Sequence, residues 1–150
     1  MAEKVSQTLT ENIYILMQKE RFALLSTIDK DSGGPNVSAI SWVYSPDIQR
    51  VFIAVDNRSR IVENIKNNNR ATLSIFSAGS VYSISGSAAI ASEKMEGVPL
   101  RLAKIELKVE EVRDIMFYGS RISQEPTYEK TYDADAAAKL DKQVMDALKA

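Results

Sequence analysis

The sequence predicts a mainly β (α+β) domain in which six antiparallel strands form a small closed or split barrel with flanking helices. Three observations carry that expectation. Short apolar or alternating runs recur along the chain. Turn signals rich in Gly, Pro, Asp and Ser separate them, too tightly for parallel crossovers. The helical patterns are few, one at each end and one in the middle. The chain has 150 residues, which suits a single domain over 1–150 with a core that needs no staples.

The elements follow in order. Thr8 and Glu11 read as a capping box, and Leu9, Ile13, Leu16 and Met17 then share one helical face. Phe22–Ile28 is the first strand, and the segment Asp29–Pro35 is a turn. Asn36–Tyr44 alternates, with Ile40, Trp42 and Tyr44 on one face. Ser45, Pro46 and Asp47 form the next turn, and Arg50–Val55 is the third strand. A short helix follows, capped by Asn57 or Ser59, with Ile61, Val62 and Ile65 inward. Asn67, Asn68 and Asn69 end it. Arg70–Phe76 and Val81–Ala91 are strands joined by the turn Ser77–Ser80, and Gly86 inside the second marks a bulge or a barrel bend. Glu93–Pro99 is a loop or short helix. Leu102–Val109 alternates strictly as the sixth strand, and Val112–Tyr118 reads as strand or helix. A last helix near Ala136–Lys149 puts Leu140, Val144 and Leu148 on one side.

Composition excludes several chemistries. The chain has no cysteine and no histidine, so thiol nucleophiles, Ser-His-Asp triads and Cys/His zinc sites are impossible. No loop has the ligand spacing of a calcium or magnesium cage, so no metal is expected. The net charge of −1 argues against a nucleic-acid binder. No apolar run is long enough to span a bilayer, and the N-terminal residues lack the apolar stretch of a signal peptide, so a cytoplasmic protein is expected. The pair Glu110 and Glu111 reads as a solvated turn rather than a catalytic pair. Any redox step would need a bound cofactor to carry it.

The order of elements, with the segment AVDNRSRIVENIKNNNRATLSIF at 54–76, resembles the FMN-binding split-barrel family of the pyridoxamine 5'-phosphate oxidase-like kind, nearest to its general-stress-protein branch. The resemblance spans about positions 8–118. The family pattern is a strand ending in Thr, a Ser-Arg-Lys tripeptide opening a helix, then Asn-Pro-Arg-Val. Here Val55 stands at the Thr, Ser59 and Arg60 at the Ser and Arg, and Ile61 at the Lys. Asn68, Asn69 and Arg70 stand at the Asn-Pro-Arg. The motif has a physical reason: a helix N-terminus offers free N–H groups and partial positive charge to a phosphate, and an Arg adds a two-pronged contact.

The resemblance implies a cofactor-binding set of Val55, Asp56, Ser59 and Arg60 for the phosphate end, with Ser41, Trp42, Val81 and Tyr82 toward the ring. It also implies a late aromatic from a second subunit, Phe117 or Tyr118, and hence a homodimer. Taken alone, Trp42 reads as a core or interface anchor, and Arg58 as a solvated surface charge. The function expected is a flavin-dependent oxidoreductase or flavin carrier acting on an unidentified small redox substrate, with no catalytic side chain assigned. The alternatives are a split-barrel protein that binds another planar ligand, heme or a deazaflavin, without turnover, or a ligand-free structural dimer. The Val55 and Ile61 replacements favour those alternatives.

Overall fold

The computed structural model describes residues 3–150; the first two residues of the expected domain lie outside the described residues. The elements are β1 (Glu3–Ser6), α1 (Glu11–Leu16), β2 (Ala23–Ile28), β3 (Pro35–Ile40), β4 (Val43–Asp47), β5 (Arg50–Asp56), α2 (Arg60–Asn67), β6 (Arg70–Ser77), β7 (Ser80–Ser92), β8 (Leu102–Asp114) and α3 (Ala134–Lys149). The sheet runs β3-β2-β6-β7-β8-β5-β4, with β1 added on β8, and every pairing is antiparallel. The two edge strands, β3 and β4, are consecutive in the chain. A corner at Ser41–Trp42 therefore brings the ends of the sheet together into a split barrel with flanking helices. No helix among the described residues is long and apolar enough to cross a membrane.

The strand count is eight rather than six, for two reasons. An N-terminal strand pairs on β8, and the run expected as one strand over 36–44 is two. Its alternation changes phase at the corner. Ile40 and Val43 both pack toward the barrel interior, whereas Trp42 and Tyr44 pack into a second apolar cluster. The expected common face of Ile40, Trp42 and Tyr44 is thus divided. The corner is held by the Ser41 carbonyl, which accepts from Val43 N at 3.0 Å and Arg21 N at 2.9 Å.

Other boundaries also move. Thr10, not Thr8, caps α1, its Oγ1 accepting from Ile13 N at 3.4 Å. Leu9 is buried and bonded to the Ile48 carbonyl, so the helix cannot begin before it. The expected turn at 45–47 belongs to β4; Pro46 is tolerated there because β4 is an edge strand, and Ile48–Gln49 make the turn. The expected bulge at Gly86 is present: the register shifts between Ser85 and Gly86, with Glu110 the extra residue on β8. The segment 112–118 continues β8 to Asp114 and then leaves the sheet.

The interior of the barrel holds one large cluster that includes Ile13, Leu25, Ile53, Leu73, Ile84 and Leu107. β5 is buried on both faces, because Val51, Ile53 and Val55 point into that cluster while Phe52 and Ala54 lie under α3. α3 begins at Asp133, whose Oδ2 accepts from Ala136 N at 2.9 Å, and it lays Val144 and Leu148 onto Phe52, Ala54, Met95 and Leu102.

Candidate functional site

The residues of the expected phosphate end converge where β5 runs into α2. Val55 is buried in the barrel core, so it can offer a ligand only its backbone. Asp56 is spent locally: its Oδ1 accepts from Arg58 N at 2.8 Å, its carbonyl accepts from Ser59 N, and these contacts with Arg58 hold its carboxyl below the usual range. Ser59 occupies the N-cap position of α2 with extended backbone, yet its side chain makes no capping bond. Its Oγ is shielded from solvent and has no partner among the described residues. Asn57 does not cap either; its amide donates to the Glu93 carbonyl at 3.0 Å. The expected cap is therefore corrected: the position belongs to Ser59, and the hydrogen bond is missing.

Arg60 begins α2 and is half exposed, its side chain at 59%. Its Nη1 donates to Asp29 Oδ1, while Nε and Nη2 have no partner among the described residues. Asp29 sits at the start of the β2–β3 turn, which the chain can close because Gly33 adopts φ +74°. Its Oδ2 accepts from Ser32 N at 2.8 Å and Asp31 N at 3.0 Å. The Ser32 amide, then the Arg60 guanidinium, hold the Asp29 carboxyl down at about 2.

Between α2 and β3 lies a cleft of about 220 Å³ lined by Thr27, Asn36, Val37, Ser38, Arg60, Ile61 and Asn64. Its floor is set by Asn64, which is 1% exposed. Asn64 Nδ2 donates to Thr27 Oγ1 at 3.0 Å and Asn36 Oδ1 at 2.8 Å, and Oδ1 accepts from Lys30 N at 2.9 Å. Asn64 and Asp29 were missed by the sequence reading. The signal for Asn64 was present, since an Asn lies on the inward face otherwise made by Ile61, Val62 and Ile65. Asp29 looked like any turn former.

The residues of the expected ring end lie elsewhere. Ser41 and Trp42 form the β3–β4 corner, and both polar atoms are engaged. Ser41 Oγ donates to Glu20 Oε2 at 2.6 Å and Trp42 Nε1 donates to Asp141 Oδ1 at 2.9 Å. Lys130 joins the two carboxylates at 2.7 and 3.0 Å. Burial opposes its charge, but the bonds to Glu20 and Asp141 outweigh that and raise its pKa. Tyr128 packs on Phe22, which stacks on Phe76. Val81 faces Phe76 and Tyr82 faces Ile75 across the β6–β7 ladder; the Val81 carbonyl accepts from Ile115 N. Val81 and Tyr82 are three strands from Ser41, roughly 14 Å at the usual strand spacing. One chain therefore does not gather the whole expected set around a single cleft. Phe117 and Tyr118 are 67% and 96% exposed.

The described residues match the sequence profile of pyridoxamine 5'-phosphate oxidase over 9–116. No curated protein matches the sequence. Solved structures resemble it in fold. A Lactobacillus delbrueckii protein provisionally described as a pyridoxamine 5'-phosphate oxidase superposes with a TM-score of 0.62 at 18% identity, covering 75% of this chain and 98% of its own. General stress protein 26 of Bacillus anthracis gives 0.57 at 14%, covering 71% and 94%. An F420 reductase gives 0.58 at 15%, covering 69% and 98%.

Proposed function

The chain belongs to the pyridoxamine 5'-phosphate oxidase family, and from that premise we propose that it binds FMN with the phosphate at the N-terminus of α2, beside the α2–β3 cleft, and serves as a flavin-dependent oxidoreductase or flavin carrier. The observation that carries the reading is Ser59. A hydroxyl at a helix N-terminus that is shielded, unbonded and absent from its own cap suits an oxyanion acceptor. Arg60 stands beside it with two donor nitrogens free. The flavin, when bound, supplies hydride or electron transfer. The chain's own part is to hold the phosphate through Ser59 and Arg60 and to wall off the ring.

Titration of flavin fluorescence tests the reading. Arg60→Ala is expected to weaken FMN binding by about 1.5–3 kcal/mol, the usual worth of a hydrogen bond to a charged group. Ser59→Ala is expected to weaken it by about 0.5–1.5 kcal/mol while leaving the melting temperature unchanged, because no cap is lost. A Ser59→Ala variant that melts earlier yet binds FMN normally would reduce this residue to a helix start.

The site is read as shared between two copies of the chain. A cleft of about 220 Å³ is below the roughly 300 Å³ at which small-molecule pockets begin, so the ring needs further walls. The outer face of β3-β2-β6-β7 is suited to supply them. Its row runs through Ala39, Leu24, Ser74 and Ser83, uncharged and small but for Leu24, and Val37 on it is 62% exposed. Exposed Phe117 or Tyr118 would then reach the partner's ring. Light scattering at micromolar concentration is expected to give twice the chain mass, and dilution is expected to release the flavin with the partner. A monomer that holds FMN tightly would contradict the shared site.

A second reading is favoured by a specific feature. Arg60 is the one charged side chain lining the cleft, and it is already paired. A planar ligand with no phosphate monoester suits that balance. The same titration separates the two readings.

A further inference from the structure

We propose that Asp29 is an internal anion that holds Arg60 where a ligand's phosphate would, and so sets the site's preference between phosphorylated and unphosphorylated flavins. The inference rests on the flavin reading above and concerns which flavin the site takes.

The geometry is specific. Asp29 is fixed from behind by the Ser32 and Asp31 amides, and its backbone carbonyl accepts from Gly33 N at 3.0 Å. Its side chain is 8% exposed, and its free oxygen is directed at the Arg60 guanidinium. A carboxylate built into a closed turn cannot swing away as a surface Glu would. Of the neighbouring cations, Arg58 is tied to Asp56 at 3.5 Å, and Lys30 adjoins Asp29 in the chain but does not line the cleft. Asp31 and Glu63 also act on Arg60, and Ile61 stands where the family pattern has a Lys. In the cleft lining an arriving phosphate therefore meets one cation, and that cation already holds a carboxylate. Like charges near a protein surface repel appreciably at such separations, so Asp29 penalises a phosphate dianion and leaves an uncharged ribityl tail untouched. Arg60 remains a contact through Nε and Nη2; Asp29 sets how much net attraction that contact delivers.

The test measures FMN and riboflavin binding to the wild-type protein and to Asp29→Asn. Asparagine keeps an oxygen for the Ser32 and Asp31 amides, so the turn is retained. In the wild type, FMN is expected to exceed riboflavin in affinity by less than it does in Asp29→Asn. In Asp29→Asn, FMN affinity is expected to rise roughly tenfold, the order expected of removing one like charge from beside the same guanidinium, with riboflavin unchanged. Inorganic phosphate should raise the melting temperature of the variant more than that of the wild type. Asp29→Ser, which keeps a hydroxyl acceptor, is the second variant if Asp29→Asn does not fold, and the same tenfold gain is expected of it. FMN binding that stays the same or weakens in these variants, while the wild type binds FMN through Arg60, would overturn the proposal and make Asp29 a positioning residue. Absence of any flavin binding to wild type and variants alike would overturn the flavin reading as well.

Discussion

Replacing Gly86 with alanine is expected to destabilise the protein by at least about 3 kcal/mol, the upper end of overpacking costs. The cause is backbone, not side chain. A Cβ at Gly86 would overlap the Lys108 carbonyl oxygen and lie 2.9 Å from the Lys108 carbonyl carbon and 3.3 Å from Glu110 N. None of these atoms can turn aside as a flexible side chain could. The clash falls where the β7–β8 ladder shifts register. That ladder joins the two halves of the barrel, since β7 leads to β6 and β2 while β8 leads to β5 and β4. Ser87 and Arg70 both bond to Glu110 at this bulge, so a displaced strand also breaks a polar bridge. Urea unfolding checks the expectation. Gly97→Ala is the control: Gly97 has φ +79° but open space around it, so it should cost only the roughly 1–2 kcal/mol of a left-handed residue. Equal losses for the two variants would show that steric overlap at the bulge is not what demands glycine.

Gly86 also illustrates what was legible in the sequence. A glycine inside a long strand run has few reasons to be there, so the bulge could be read directly. The antiparallel order, the two terminal helices and the start of α2 at Ser59 and Arg60 were legible for similar reasons: each leaves a local pattern. What was not legible depended on contacts distant in sequence. The break at Ser41–Trp42 is invisible to alternation, because Ile40, Trp42 and Tyr44 keep the right period while the chain turns beneath them. The Asp29–Arg60 pair spans 31 residues, and nothing local marks Asp29 as more than a turn former. Ser41 and Trp42 were placed toward a flavin ring by likeness alone. Their polar atoms meet Glu20 and Asp141, and the partner of Trp42 comes from α3, beyond the 9–116 segment that the family profile matches.

That added helix leads to the other large effect. Leu148→Ala is expected to cost about 2–4 kcal/mol, within the range for buried Leu-to-Ala changes, and to release α3 before the barrel unfolds. Leu148 is fully buried, but in the cluster of Phe52, Ala54, Met95, Leu102 and Val144, separate from the barrel interior. Besides this cluster, the ties of α3 among the described residues include Trp42 to Asp141, Lys130 to Asp141, Lys104 Nζ to the Ala150 carbonyl at 3.2 Å, and Lys149 over the Tyr44 ring. The Lys104 tie is exposed and contributes little, the Asp141 ties are part-buried, and the buried apolar face is the larger part of the docking. Losing its Leu leaves a segment whose local stability falls below that of the barrel. Trp42 is the only tryptophan, and it lies against this helix, so its emission reports docking directly. In Leu148→Ala, emission should shift to the red at a lower urea concentration than the loss of the far-ultraviolet β signal. Leu107→Ala, which empties the barrel interior instead, should lower both transitions together. Coincident transitions in Leu148→Ala would mean that α3 and barrel form one cooperative unit. A separate early transition would mean that the Ser41–Trp42 corner, toward which the family likeness directs the ring, can be uncovered without unfolding the barrel.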